Sequence, residues 1–286
     1  MKRATPFFGP GGNSESFYAA GKKSTVDAPA WISEIGLDAY EYEAGKGIMA
    51  SDAVLQKIGE QAKKYKVKLS LHAPYFISLS SVEAEKRFNS VEYIKKSIAA
   101  AEILDAETIV VHCGSASKIS REEAMKLSAD TLIHTLESLH NTSVKIGIET
   151  MGKQNQLGTL EEVISLCKLD KIFVPVVDFG HMNARECGGA FERVDDYMRV
   201  FDTVASNLGA DVAEKMHCHF SKIEWTPKGE KKHLTFEDEL YGPSPEKLVE
   251  AICRLGISPT IICESAGTQS DDALYMKKTF LKVCGN

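Results

Sequence analysis

The chain has 286 residues, of which 43% are hydrophobic and 26% are charged, as is usual for a globular protein and not for a disordered one. Its formal net charge of −6 excludes a generally basic surface, so a polyanion would have to be attracted by a local feature. Seven cysteines without a Cys-x-x-Cys pair indicate free thiols in a reducing compartment rather than a disulfide framework.

Membrane and export signals are not indicated by the sequence. No stretch approaches the roughly 18 uninterrupted apolar residues of a membrane span, and residues 1–12 lack the apolar run of a secretory signal. We therefore expect a soluble, cytoplasmic protein without membrane contact, and we expect it to act as a monomer.

Strand and helix patterns alternate along the chain. Val67, Leu69 and Leu71 alternate with polar residues, which is the period of a half-buried strand, and Pro74 ends that strand. Ser120, with Glu123 three residues later, forms a capping box that begins a helix. The predicted strands, each with the helix that follows it, are 4–8 and 28–35, 38–43 and 51–65, 67–72 and 82–104, 108–112 and 120–140, 144–149 and 159–169, 171–178 and 194–208, 213–219 and 244–255, and 260–264 and 270–283.

Eight alternating strand and helix pairs favour an α/β fold with a parallel sheet covered by helices. In one chain of this length they predict a closed (β/α)8 barrel, a TIM barrel, that forms a single domain over residues 1–286. No Gly-x-Gly-x-x-Gly turn follows the first strand to favour an open doubly wound sheet. The longest segments without a predicted helix, 179–193 and 220–243, follow strands, where a barrel carries its active site.

The third to eighth predicted strands all end on side chains that bind metals. Because every strand end of a barrel faces the same rim, we expect these side chains to converge on one cavity. Imidazoles and carboxylates without a thiolate suit zinc, manganese or iron, and several such ligands can hold two or three ions. The candidates are His72, His112, Glu149, Asp178 with His181, His217 with His233 in the following loop, and Glu264.

A structural role is the simpler explanation for any one of these residues taken alone. A single histidine at a strand end is usually a hydrogen-bonded structural residue, and buried acids are often only paired. Six successive strand ends with ligand side chains are hard to explain in that way. Cys113 and Cys218 adjoin two candidates but point to the opposite face of their strands, so we expect them to pack in the core.

At these residues the chain resembles the endonuclease IV family of apurinic/apyrimidinic endonucleases. The resemblance runs from the third strand to the eighth, and the order and spacing of its short motifs make it specific. The similar segments are His72-Ala73-Pro74-Tyr75, Val111-His112 with Gly114-Ser115, Glu149-Thr150 with Gly152, Asp178-Phe179-Gly180-His181, Met216-His217 with Ser221-Lys222, and Glu264.

The resemblance implies a zinc enzyme that hydrolyses the phosphodiester 5′ to an abasic site in double-stranded DNA. It implies two or three Zn²⁺ ions, with Mn²⁺ as an alternative. Glu149 and Glu264 would be catalytic, since Glu149 would bridge two ions and either carboxylate would orient the attacking water. The first ion would take His72, His112 and Glu149, the second would take Glu149, Asp178, His217 and Glu264, and the third would take His181 and His233.

The chain departs from the family at the third ion. The family has an Asp-x-His pair there, whereas the position two before His233 is Lys231. Glu230, one residue earlier, and His219, on the same strand face as His217, are the candidate replacements.

Contacts with DNA are expected from the loops that follow the third and seventh strands. Tyr75 and Phe76 are two large rings on a loop, and aromatic wedges stabilise kinked, unstacked duplex. Lys222 is placed to contact a phosphate.

Two other functions stay open at this point. The chain also resembles the sugar isomerases and epimerases of the xylose isomerase-like barrels, whose single manganese or similar ion would take Glu149, Asp178, His217 and Glu264. Such an enzyme has no need of His72, His112 and His233, which favours the nuclease. The third hypothesis is a barrel that binds metal or damaged DNA without catalysis, with Lys231 marking a degraded site.

Overall fold

Eight parallel strands close into a barrel in the computed structural model, which describes residues 5–285. The predicted (β/α)8 fold is therefore confirmed. Two further strands form an antiparallel hairpin beside the barrel. The barrel strands are β1 Phe7–Pro10, β2 Ala39–Glu43, β3 Lys68–His72, β4 Thr108–His112, β5 Lys145–Glu149, β6 Phe173–Asp178, β7 His217–Phe220 and β10 Thr260–Cys263, and the hairpin strands are β8 Lys222–Thr226 and β9 Gly229–Leu234.

The barrel closes where β1 meets β2. The neighbours run in the order β1, β10, β7, β6, β5, β4, β3, β2, and a parallel bridge between Gly11 and Glu41 returns β2 to the start. Gly9 lies so close to β2 that a Cβ atom there would stand 1.8 Å from the Ala39 carbonyl oxygen. Only glycine allows the first and second strands to approach in this way.

Helices surround the barrel. The helix predicted to start at Ser120 does so, and the Ser120 side chain accepts from the Glu123 N–H as one half of the predicted capping box. A complete capping box, which was not predicted, joins Thr159 and Glu162. The helices are α1 Glu15–Ala19, α2 Ala28–Glu34, α3 Asp52–Tyr65, α4 Ala84–Leu104, α5 Arg121–Ser138, α6 Leu160–Cys167, α7 Phe179–Arg185, α8 Val194–Leu208, α9 Ala210–Glu214, α10 Pro245–Leu255 and α11 Gln269–Cys284.

The apolar core lies between the strands and the helices, and this decides which side chains face the barrel interior. Ile109 and Val111 of β4 and Ile146 and Ile148 of β5 belong to that core. Because side chains alternate along a strand, the residues between them face inward, as do His112 and Glu149 at the ends of these two strands. Cys113 and Cys218 are fully buried in the core, as expected.

Several elements differ from the prediction. The first strand starts at Phe7 instead of residue 4, which lies outside the described residues. The strand predicted over 213–219 begins only at His217, since the short helix α9 occupies Ala210–Glu214. The stretches 179–193 and 220–243 contain the helix α7 and the β8–β9 hairpin.

One disulfide is present where free thiols were expected. Cys253 of α10 is bonded to Cys284 at the end of α11, so the prediction from cysteine spacing is wrong for this pair. The other five cysteines are free, and all but Cys187 of these are buried. Over residues 5–285, every helix is too short or too polar to cross a lipid bilayer.

Candidate metal centre

The ends of β3, β4 and β5 bring two imidazoles and a carboxylate together. His72 Nε2 lies 3.6 Å and His112 Nε2 lies 3.2 Å from Glu149 Oε2. One ligand atom from each of the three residues lies within 4.8 Å of the others, so the three side chains can bind one cation together. His72 and Glu149 are buried, whereas His112 lines the cleft above them.

Asp178, His219 and Glu264 form a second group around the other oxygen of Glu149. His219 Nδ1 lies 3.0 Å from Glu149 Oε1 and 3.4 Å from Glu264 Oε1. Together with Asp178 these residues offer four ligand atoms within 4.8 Å of one another. Glu149 thus presents Oε2 to His72 and His112 and Oε1 to His219, so its two oxygens face two different groups.

His217 was predicted for this second group, and the structure places His219 there instead. Both side chains face the barrel interior, because they are two residues apart on β7. The register pairs His219 with Asp178 and pairs His217 with Val176, one step deeper in the barrel. His217 Nε2 lies 3.0 Å from a carboxylate oxygen of Glu41, below the group.

His181, Glu230 and His233 form a third group at the edge of the site. His181 Nε2 lies 3.6 Å from Glu230 Oε2, and His233 Nε2 lies 4.0 Å from Glu230 Oε1. The three residues offer ligand atoms within 4.8 Å of one another. Of the two candidate replacements for the missing aspartate, Glu230 therefore lies in this group, and His219 lies in the second group.

A β-bulge allows Glu230 and His233 to share a face although they are three residues apart. The register of the hairpin pairs Glu224 with Lys232 and Trp225 with Glu230, which makes Lys231 the extra residue. Lys231 points away from the site, where its Nζ lies 2.6 Å from Glu224 Oε1 and 56% of its side chain is exposed. The lysine that departs from the family pattern therefore does not face the third group.

The helix α7 explains how Asp178 and His181 meet. Asp178 is the N-cap of α7, and its Oδ1 accepts a hydrogen bond from the His181 backbone N–H at 2.7 Å. His181 Nδ1 donates to the Thr150 carbonyl oxygen at 3.0 Å. The Nε2 lone pair of His181 is therefore free to bind a cation on the side of Glu230.

Buried oxygens without hydrogen-bond donors lie at the centre of the site. Among the described residues, Glu149 Oε2 and Asp178 Oδ2 are buried and accept no hydrogen bond. Such atoms are costly unless a positive charge compensates them. The donor set of imidazole nitrogen and carboxylate oxygen suits Zn²⁺ and Mn²⁺, so the residues present fit divalent cations.

Contacts among the buried imidazoles and carboxylates of the site shift their pKa values. Burial opposes the charged form of His72, but Glu149 and Glu43 raise its pKa to about 10. Burial also opposes the charged form of Glu149, but four imidazoles hold its pKa well below the usual range. For Glu264, burial and nearby carboxylates outweigh the charge of His219 and raise the pKa to about 8. In the absence of a cation, protons therefore balance part of the negative charge.

A cleft of about 780 Å³ opens above the three groups. Besides the ligand side chains, it is lined by Lys46, Met49 and Lys153. The Tyr75 ring stacks on His112 with a centroid distance of 5.6 Å and an interplanar angle of 27°, yet 58% of Tyr75 is exposed. Phe76 packs edge-on against Tyr93 and stays 49% exposed.

Lys222 does not present its charge to the cleft in the way the sequence predicted. Its Nζ donates to the carbonyl oxygen of Phe236 at 2.9 Å and to that of Asp238. These bonds hold the loop after the hairpin. The lysines that line the cleft are Lys46 and Lys153, neither of which the sequence singled out.

Two carboxylates of β2 were missed by the sequence reading. Glu41 is fully buried beside His217 and His219, and Glu43 lines the cleft with its Oε2 3.4 Å from the Tyr75 hydroxyl. A signal was present, because alternation in the predicted strand 38–43 places both acids on one face. Because the outer face of a barrel strand packs against helices, and Tyr40 and Tyr42 occupy that face here, the two acids point into the barrel.

Comparison with known proteins identifies a family to which the sequence is similar and several related proteins. The family described as a xylose isomerase-like TIM barrel matches residues 29–279. An uncharacterised protein of Methanocaldococcus jannaschii is 30% identical over 251 residues, which are 86% of this chain and 88% of that protein. A probable endonuclease 4 of Acholeplasma laidlawii is 30% identical over 159 residues, which are 54% of this chain and 53% of that protein, so this match spans about half of the relative.

Solved structures of two kinds share the fold. A D-tagatose 3-epimerase-like protein superposes with a TM-score of 0.71 at 22% identity and covers 98% of both chains. Endonuclease IV from Thermus thermophilus superposes with a TM-score of 0.68 at 19% identity and covers 98% of this chain and 99% of that one. At these identities the two similarities show the barrel fold alone.

Proposed function

Because the chain belongs to the xylose isomerase-like TIM barrel family, we propose that it is a metal-dependent phosphodiesterase that cuts DNA 5′ to abasic sites. The observation that carries the proposal is the position of Glu149. Its Oε2 lies near His72 and His112, and its Oε1 lies near His219. A carboxylate held in this way would serve two cations, and a third group stands beside it.

Three sets of side chains would hold the cations. Two or three bound Zn²⁺ or Mn²⁺ ions would neutralise the phosphate charge and make a water a stronger nucleophile near neutral pH. The proposed sets are His72, His112 and Glu149; Glu149, Asp178, His219 and Glu264; and His181, Glu230 and His233.

The surrounding residues would bind and orient the DNA. Lys46 and Lys153 line the cleft and would attract phosphates locally, which the net charge of −6 does not. The exposed rings of Tyr75 and Phe76 would enter the stack beside the missing base. Glu264 lines the same cleft, and as a carboxylate in one group with Glu149 it would orient the attacking water.

A single-metal sugar epimerase is the second candidate function. The group of Glu149, Asp178, His219 and Glu264 is a complete four-ligand site by itself, and an epimerase-like structure shares the fold. The first and third groups favour the phosphodiesterase, since a single-metal enzyme leaves His72, His112, His181 and His233 without a function.

A nicking assay tests the proposal. The zinc-loaded protein is incubated with a duplex that contains one tetrahydrofuran abasic analogue and with the same duplex without it. We expect cleavage 5′ to the analogue, and we expect His72→Ala to lower the rate by at least about 100-fold, as befits loss of a ligand. Lys231→Ala, at an exposed residue outside the three groups, is the control and should cleave normally. An intact duplex, together with epimerisation of a ketose by the same preparation, would replace the proposal with the second candidate.

A further inference from the structure

Glu41 is a buried carboxylate for which the proposed chemistry has no role. It lies on β2 with its side chain fully buried under the second group. Three polar side chains surround its two oxygens. Ser70 Oγ donates to Oε2 at 2.7 Å, His217 Nε2 lies 3.0 Å from the same oxygen, and His219 Nε2 lies 2.9 Å from Oε1.

His219 stands between carboxylates on both sides of its ring. Its Nδ1 faces Glu149 Oε1 at 3.0 Å and Glu264 Oε1 at 3.4 Å, whereas its Nε2 faces Glu41 Oε1 at 2.9 Å. His219 Nε2 and Glu41 Oε1 lie 2.9 Å apart, and within residues 5–285 neither atom has a hydrogen-bond partner. The ion-pair contact between them is therefore what compensates these two buried atoms.

A neutral imidazole can bind a cation through only one nitrogen while the other keeps its proton. A carboxylate beside one nitrogen favours the proton on that nitrogen and turns the other toward the cation. In His219 the nitrogen beside Glu41 is Nε2, and the nitrogen toward Glu149 and Glu264 is Nδ1.

We infer that Glu41 is a positioning residue that holds the Nε2–H form of His219 and aims its Nδ1 at the cation of the second group. This inference rests on the proposed function, because it requires a cation there. Ser70 and His217 would in turn hold the Glu41 carboxylate through Oε2. Partners of this kind change metal affinity by about 10- to 100-fold when they are lost.

Calorimetric titration with Zn²⁺ tests the inference on demetallated wild type, Glu41→Gln and Ser70→Ala. The glutamine keeps the size of the side chain and removes its charge. We expect Glu41→Gln to weaken one of the Zn²⁺ binding steps by about 10- to 100-fold and to leave the others unchanged. Ser70→Ala keeps the carboxylate beside His219, so its effect should be smaller than that of Glu41→Gln. Wild-type affinity at every step in Glu41→Gln would overturn the inference and leave the proposed function standing.

A second measurement needs no substitution at Glu41. Long-range ¹⁵N–¹H spectra of the zinc-loaded wild-type chain, labelled at histidine, show which nitrogen of His219 carries the proton, and His219→Gln assigns the signals. We expect a protonated Nε2 and a cation-bound Nδ1, whereas the opposite assignment would overturn the inference. A wild-type chain that binds no Zn²⁺ would overturn the proposed function and this inference together.

Discussion

At the level of single residues, the site combines buried carboxylates with imidazoles, and nearby carboxylates raise the pKa of His72, His181 and His219 although burial opposes their charged forms. His72, with a pKa of about 10, and Glu264, with a pKa of about 8, both hold a proton at pH 7. A cation can bind only after these protons have left, since its ligands are neutral imidazole and carboxylate. Metal binding and proton release are therefore coupled in this protein.

Proton release on metal binding is the first prediction. At pH 7 we expect Zn²⁺ binding to release protons from His72 and Glu264, because the metal-free protein binds more protons than the loaded one. For the same reason Zn²⁺ affinity should rise with pH through about 8, where Glu264 loses its proton, and up to about 10, where His72 does. Calorimetric Zn²⁺ titrations in buffers of different ionisation enthalpy give the number of protons released. Zn²⁺ affinity that falls between pH 6 and 8 would have the wrong sign for this account.

Most candidate ligands could be identified from the sequence, because each stands at the end of a strand with a clear period. His72, His112 and Glu149 lie together where the alternation predicted them. The choice between His217 and His219 could not be made in this way, since both face inward on β7. It depends on the register of β7 against β6, which is a tertiary property.

At the level of elements, the hairpin of β8 and β9 completes the third group. The bulge at Lys231 turns Glu230 and His233 to one face, and the hairpin packs beside α7, which carries His181. The group is more exposed than the other two, with 26% of the His233 side chain accessible. We therefore expect its cation to exchange most readily.

Removal of Glu230 tests the role of the hairpin. Glu230→Gln replaces a carboxylate by a weaker amide ligand, so we expect the zinc content to fall by one ion per chain and the nicking rate to fall by about 10-fold or more. Lys231→Ala is the matched control, since the neighbouring side chain points away from the group and pairs with Glu224. Elemental analysis of both purified variants gives the result. An unchanged metal content in Glu230→Gln would show that Glu230 is not a metal ligand.

The loop after β3 carries the aromatic pair proposed to contact DNA. Stacking of one base on an aromatic ring contributes about 1–3 kcal/mol, so Tyr75→Ala should weaken binding of an abasic duplex by about 10-fold. Phe76→Ala should act in the same direction. Leu281→Ala, which removes an exposed apolar side chain from α11, should bind normally. Fluorescence anisotropy with a labelled duplex measures the affinities, and equal values for all four proteins would contradict the proposed contact.

The eight strand and helix pairs were predictable because their hydrophobic residues recur with a clear strand or helix period, whereas the hairpin and α7 were not. The hairpin strands are charged and partly exposed, so their alternation is weak, although the turn at Pro227-Lys228-Gly229 was a visible signal. The helix α7 has seven residues and depends on the Asp178 cap, which is itself a candidate ligand. The conformation of such short elements depends on the contacts within the site itself, which local sequence patterns do not reveal.

At the level of the whole molecule, barrel closure gathers residues from distant parts of the chain at one rim. Glu41, Glu149, Asp178 and Glu264 place several acidic side chains near one another in a buried region. Cations that bind the folded chain and not the unfolded one stabilise it by mass action.

Thermal unfolding should report this stabilisation. With free Zn²⁺ at 100 times its dissociation constant, one site contributes about 2.7 kcal/mol, which raises the melting temperature by about 5 to 10 °C for a domain of this size. Treatment with a chelator should reverse the shift. Glu149→Gln, which weakens two groups at once, should show a smaller shift. Equal melting temperatures with and without Zn²⁺ would argue against a metal centre.

The barrel by itself does not decide between the two candidate functions. An epimerase-like protein and an endonuclease IV superpose on the chain about equally well, with TM-scores of 0.71 and 0.68. The difference between the functions lies in the number of cations at the rim and in the residue that joins them.

The most direct test is the anomalous diffraction of crystals grown with Zn²⁺ and recorded at the zinc absorption edge. The account predicts two peaks on either side of Glu149, one beside His72 and His112 and one beside Asp178 and His219, with a third beside Glu230. A single peak among Glu149, Asp178, His219 and Glu264 would contradict the shared carboxylate and favour a single-metal epimerase.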